Sequence, residues 1–234
     1  MRIGNFVITV FIITLLSGAC SKQDRLYQAI RDGNAQQVAQ LIAQGADVNK
    51  PVSSHTYPLL AACRRGQTDM AALLLQAGAN VNAKDDMDRT ALIYAVREDA
   101  PDLVRLLLSY GVNTDAVEVV GKGPYEGKPV KVMAGSGWSA LMYAVYYSEA
   151  DIVKDLLNAG ANVNLTTANG NTALKLAQKI GNKETGMAFR QSFVRESSAG
   201  GVEAYQQRQR EQVAQQIQAN QEIIRLLKAA GAKE

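Results

Sequence analysis

The sequence has little of what usually carries chemistry. It holds one histidine, His55, and two cysteines, Cys20 and Cys63, and nowhere do His, Cys, Asp and Glu gather at metal-ligand spacing. No glycine-rich phosphate loop is present, because Gly121-Lys122-Gly123 reads as hairpin-turn chemistry. No catalytic residue, metal, cofactor or small-molecule substrate is therefore expected. Charge of one sign is also scarce. Lys and Arg number 25 against 22 Asp and Glu, a net +3, and the cations form no run of five or six that would track a phosphate backbone. Nucleic acid is not an expected partner. Disorder is not expected either, since 47% of the 234 residues are hydrophobic and only 20% are charged.

The one long apolar run lies at the N terminus. Arg2 precedes an apolar stretch from Phe6 to Leu16, broken by Thr9 and Thr14 and followed by Ser17-Gly18-Ala19-Cys20. The run is too short for a comfortable permanent bilayer span, and its small-residue exit suits a peptidase, so residues 1–19 read as a signal peptide. Leu15-Leu16-Ser17-Gly18-Ala19-Cys20 resembles the lipobox of bacterial lipoproteins. It departs from the usual pattern in holding Ser17 three residues before the cysteine, where a branched aliphatic is normal. The resemblance implies a lipidated Cys20, a short tether over 20–23, and membrane attachment in the bacterial envelope. Ser21 stands where some lipoproteins carry an aspartate that retains them at the inner membrane, which implies the outer membrane, facing the periplasm. Plain secretion or an uncleaved anchor is the alternative. With Cys20 acylated, Cys63 has no partner for an internal disulfide, so stability must come from packing.

Beyond the leader the chain repeats itself. Ile42–Asn49, Leu75–Asn82, Leu108–Asp115 and Leu157–Asn164 align, and Leu226–Ala232 completes the series. Their glycines, Gly45, Gly78, Gly111, Gly160 and Gly231, are spaced by 33, 33, 49 and 71 residues, which is a 33-residue period interrupted by 16 and then by 38 extra residues. Each glycine follows an apolar helical run and marks a helix C terminus. A first helix in each unit begins near Tyr57-Pro58, Thr90, Ser139 or Thr172, residues suited to a helix start. Ala62, Ala95, Ala144 and Ala177 recur on it and allow close helix approach, while Asn/Asp-rich stretches between units suit projecting turns.

A unit of this length and pattern, with Gly-Ala-Asn-Val-Asn at 78–82 and again at 160–164, resembles the ankyrin repeat. The family's histidine is replaced by Leu60, Ile93, Met142 and Lys175, and Cys63 occupies a place normally held by alanine. The resemblance implies an all-α solenoid of about five helix–turn–helix repeats with finger turns over 24–234. It also implies a protein-binding function through the finger tips and the ends of the first helices. Mapped here, those helix ends are Arg31-Asp32, Arg64-Arg65, Arg97-Glu98, Tyr146-Tyr147 and Lys179-Ile180, with Thr56, Arg89, Trp138 and Asn171 on the finger side. The candidate partner-binding set is Trp138, Tyr146, Tyr147, Arg64, Arg65, Arg89, Arg97 and Glu98, because aromatics and arginine dominate interface hot spots. Trp138 is expected at an exposed finger position, or else packed against the insertion before it.

Two insertions are expected. Residues 116–134 read as a β-hairpin-like finger, two β-prone runs around a Gly/Pro turn. Residues 183–221 contain a flexible joint and lead into a long Gln-rich helix over Glu203–Ala230, which either caps the array or reaches a partner. A membrane-anchored ankyrin array resembles the immunity proteins that neutralise secreted phospholipase-type antibacterial effectors. The alternatives are a periplasmic scaffold or chaperone guarding an envelope or stress-response enzyme and, weakest, an enzyme with an unrecognised site.

Overall fold

The structure is a computed structural model and describes residues 21–51, 56–119, 137–181 and 200–233. Residues 1–20, His55, residues 120–136 at the first insertion and 182–199 at the second lie outside the described residues. Five helical hairpins follow one another: α1 (Lys22–Arg31) with α2 (Ala35–Ala43), α3 (Pro58–Cys63) with α4 (Thr68–Gln76), and α5 (Ala91–Arg97) with α6 (Pro101–Ser109). Then come α7 (Ala140–Tyr146) with α8 (Ala150–Asn158), and α9 (173–181) with α10 (Gly200–Ala229). First helices stack on first helices and second on second, so each hairpin touches its neighbours, as in a solenoid.

Local chemistry sets the ends. Thr90 and Ser139 accept from the backbone amides of Ile93 and Met142 at 3.5 and 3.3 Å, and Pro58 occupies the first turn of α3. The second helices close on Gly45, Gly78, Gly111, Gly160 and Gly231, all at positive φ between 71° and 85°, where a Cβ would be strained. Of the tether expected over 20–23, Lys22 and Gln23 are helical. Ser21 caps α1 in a reciprocal capping box with Asp24, and helix begins at Lys22.

The stack is dry because its interior columns are small or apolar. Ala29, Ala62, Ala95, Ala144 and Ala177 are at most 1% exposed, which brings adjacent helices close. Leu60, Ile93 and Met142 are buried, so apolar packing replaces the family's histidine there. Within this chain Cys63 shares its register with Ile30, Val96 and Val145, one place after the alanine column. It is fully buried, and burial pushes its thiol pKa up to about 12, so it is an inert core residue.

A side-chain-to-backbone ladder ties repeat to repeat. Asn49, Asn82, Asp115 and Asn164 accept, through their side-chain oxygens, from the amides of Asn80, Asn113, Asn162 and Lys233 at 2.7 to 2.9 Å. The bonded residues are 31, 31, 47 and 69 positions apart. The excesses over 31, namely 16 and 38, equal the insertion lengths, so the ladder passes over both insertions without losing register.

The insertions enter at two different turns. The finger of the third repeat closes with the Asp88 amide donating to the Asp85 carbonyl at 3.0 Å; in the fourth, Gly137 donates to the Glu118 carbonyl at 2.7 Å. The first insertion therefore springs from the finger tip above an intact base, where β1 (Val117–Glu118) pairs antiparallel with β2 (Trp138–Ser139). This corrects the expected boundary of 116–134, because Val117 and Glu118 belong to the finger frame and their strand partner lies at 138–139. The Val130–Val132 run lies outside the described residues.

The second insertion replaces a helix–helix turn. In the first four repeats the residue opening the second helix, Asn34, Gln67, Ala100 or Glu149, donates its amide to Ala29, Ala62, Ala95 or Ala144 at 2.9 to 3.1 Å. Asn220 stands at that place in the fifth, so it belongs to the repeat frame, contrary to an insertion running to 221. Its side-chain Nδ2 supplies the missing bond, donating to the Ala177 carbonyl at 3.0 Å. A Cβ on Gly181 would approach that amide to 2.6 Å, so the contact needs glycine there. Below Asn220, Ile223 and Leu227 are buried and α10 packs on α8; above it, most of 211–218 is exposed. The helix spans Gly200–Ala229, close to expectation, and the 20 residues before Asn220 cover about 30 Å along its axis.

Two stability predictions follow. Asn220→Ala removes the buried bond from Nδ2 to the Ala177 carbonyl and should cost about 1 kcal/mol, with the amides of α9 and α10 losing hydrogen-exchange protection before those of α1–α8. Unchanged protection there would refute the anchoring role. At the turn between helices, Gly33 and Gly66 have positive φ, and the equivalent Ser148 adopts φ 63° with its hydroxyl buried and unpartnered. Ser148→Gly should stabilise by about 1 kcal/mol in denaturant titration; a loss would contradict the strain argument.

Candidate functional site

The fingers and the first helices line one face, and the candidate residues gather on it in two groups. The first surrounds a recess of about 280 Å³ between the second and third repeats, lined among others by Leu60, Arg64, Met87, Arg89 and Tyr94. Asp85 organises its wall. Its carboxylate accepts from the amides of Met87 and Arg89, from the Arg89 Nε at 2.8 Å and from the Tyr94 hydroxyl at 2.6 Å. Burial opposes the Asp85 charge, but the bonds from Arg89 and Tyr94 outweigh it and hold the carboxyl below its usual pKa. Burial, then the bond to Asp85, raises the Tyr94 pKa to about 12.

Arg89 is consequently not the open cation that its finger position suggested. Its side chain is 21% exposed, ion-paired to Asp85 at 2.7 Å and laid over the Tyr94 ring at 5.1 Å, so it builds the finger. Arg64 and Arg65 are exposed and form no ion pair among the described residues.

The second group lies on the fourth repeat. Trp138, Tyr143, Tyr146 and Tyr147 form one aromatic cluster: Trp138 meets Tyr143 at 5.0 Å and Tyr146 edge-on at 5.4 Å, and Tyr147 meets Tyr146 at 5.2 Å and Tyr143 at 6.3 Å. Arg97, from the repeat before, lies over Tyr143 at 5.5 Å. Trp138 is half-buried and packed against the core beside Tyr143 of α7, which corrects the expected exposed finger position. The exposed faces belong to Tyr146 and Tyr147, 54% and 42% accessible.

Sequence reasoning missed Tyr143, the hub of the cluster. Its hydroxyl donates to Glu118 at 2.5 Å, as Tyr94 donates to Asp85 one repeat earlier. Burial first and the Glu118 carboxylate second push its pKa up. The signal was present: Tyr94 and Tyr143 hold the same place after Ala-Leu-Ile and Ala-Leu-Met. Among the described residues no group of three His, Cys, Asp or Glu could hold a metal ion, and no helix is long and apolar enough to cross a membrane.

Beside the cluster, Glu98 is exposed, and Asp99 hydrogen-bonds Glu149 across two repeats. Burial, with Asp99 next, raises the Glu149 pKa above its ordinary 4.5. A folded-state pKa above the unfolded one means that ionisation costs stability, and the cost appears as pH climbs from about 4.5 through the raised value. Glu149→Gln should therefore be more stable than the parent at pH 7, with the difference vanishing below about pH 4. A pH-independent difference would rule out the carboxyl pair as its source.

No curated protein matches the chain. The family model described as ankyrin repeats in three copies matches residues 26–118 and 121–187, more than half of the sequence. The matched segments carry both groups of the face, and the chain belongs to the ankyrin-repeat family.

Proposed function

We propose that this protein is a lipid-anchored ankyrin module of the bacterial envelope that binds and neutralises a secreted antibacterial effector of the phospholipase type, as its immunity protein. Ankyrin arrays are protein–protein interaction modules, and the observation that carries binding on this chain is the Trp138–Tyr143–Tyr146–Tyr147 cluster beneath Arg97. Rigid aromatics with a stacked guanidinium supply large contact area at small entropic cost. Tyr143 is anchored from below by Glu118, which leaves Tyr146 and Tyr147 presented to the partner.

The envelope location rests on the leader and on Cys20. With Ser21 capping α1, the lipid-bearing residue adjoins the first repeat directly, and the array is held against the membrane where a membrane-attacking effector works. Neutralisation then needs only coverage of the effector by the finger face, which agrees with a face that offers area and aromatics.

The test is capture from envelope extract with the full chain, followed by periplasmic expression of the captured protein alone and together with this one. Toxicity relieved by co-expression supports immunity; capture of a harmless envelope enzyme replaces it with the scaffold reading. Trp138→Ala with Tyr146→Ala and Tyr147→Ala should weaken partner binding by at least about 2 kcal/mol, roughly thirty-fold in Kd, with the circular dichroism of the array unchanged. Unaltered affinity would remove the cluster from the interface.

A further inference from the structure

A column runs along the same face. Arg31, Arg64, Arg97, Tyr146 and Lys179 hold one place, the C-terminal end of the first helix, in five successive repeats, and all five are exposed. Four are cations, and no acid stands among them. The neighbouring column, Asp32, Arg65, Glu98, Tyr147 and Ile180, is mixed. Structure places the cationic column beside the fingers: Arg64 lines the recess, Arg97 covers Tyr143, and the Lys179 Nζ donates to Asn171 Oδ1 at 2.6 Å. Arg31, Arg64 and Arg97 form no ion pair among the described residues. Of the acids nearby, Asp85 and Glu118 are already bonded, to Arg89 with Tyr94 and to Tyr143, and Asp86, which lines the recess with Arg64, has an interaction of its own.

Spacing identifies what the column fits. α1, α3, α5 and α7 pack side by side, and packed helices lie about 8–10 Å apart. An extended chain advances about 3.1–3.4 Å per residue, so carboxylates three residues apart match one cation per repeat. A duplex nucleic acid carries a charge about every 1.7 Å of its axis, far denser than this column, and Asp32 and Glu98 beside it would face the surplus phosphates. We infer that Arg31, Arg64 and Arg97 are a docking strip for an extended acidic segment of the protein partner, with carboxylates about three residues apart, leading onto the aromatic cluster. This deepens, and rests on, the reading that the finger face binds the partner.

The test uses the full chain and fluorescence anisotropy with peptides of about twelve residues, one bearing glutamate at every third position and one of the same composition with its glutamates in a single block. The spaced peptide should bind at least about tenfold tighter than the blocked one, and Arg64→Gln with Arg97→Gln should weaken it at least about tenfold. Equal binding of the two peptides, indifference to those substitutions, or tighter binding of single-stranded DNA or phosphatidylglycerol vesicles overturns the strip. Once the partner is in hand, loss of binding on Trp138→Ala and Tyr146→Ala with none on Arg31→Gln, Arg64→Gln and Arg97→Gln overturns the strip alone. No loss in either set overturns the face as well.

Discussion

The bond that the Asn80 amide donates to the Asn49 side-chain oxygen, repeated at Asn82, Asp115 and Asn164, is the constraint on which this structure depends. A solenoid has contacts only between neighbours, so no distant part of the chain can correct a slipped repeat. Apolar packing alone is weakly directional and would tolerate sliding of one hairpin on the next. A buried row of alanines permits close approach but does not choose a register. The ladder does, because a side-chain oxygen held near 2.8 Å from a single amide admits one alignment. Asn49 and Asn164 strengthen it by also donating, to the carbonyls of Gly78 and Gly231.

That constraint explains where extra sequence is tolerated. Both insertions leave the frame at turns and rejoin it with the frame's own hydrogen bond restored, by Gly137 to Glu118 in one case and by the Asn220 side chain to Ala177 in the other. The cost of a longer loop rises only slowly with its length, so a turn can absorb residues that a helix could not. The two solutions differ in consequence. At the finger, the base is preserved and the face beside it gains Trp138; at the helix turn, the tight reversal is lost and a long helix runs through instead, anchored by a polar side chain where a backbone amide stood before.

Much of this was legible beforehand. The glycine spacings disclosed the period and the lengths of both insertions, since a left-handed helix terminus is a requirement that few residues other than glycine meet. The capping box at Ser21 and Asp24 was equally legible, and reading those residues as a tether passed over it. Long-range pairing was not legible. Val117 meets Ser139 across an insertion, beside the half-buried Trp138, and the inward turn of Arg89 depends on Asp85 being shaped by Tyr94. Asn220 looked like one more polar residue in a Gln-rich helix, and its role follows only from its alignment with Asn34, Gln67, Ala100 and Glu149.

The same alignment sorts the face into two kinds of chemistry. In the first three repeats the end of the first helix is arginine; in the fourth the same place is Tyr146, with Trp138, Tyr143 and Tyr147 around it. Exposed charges act over a Debye length of about 8–10 Å and mainly raise the rate of encounter, whereas packed aromatics act at contact and mainly slow dissociation. Arg97 joins the two, since it belongs to the cationic column and lies over the Tyr143 ring. A partner entering along the arginines is therefore handed directly to the aromatics, with no gap in which contact must be re-formed. Because the ladder sets the distance between those repeats, it also sets the pitch that a partner must match, and the element that holds the fold together also defines what the fold can bind.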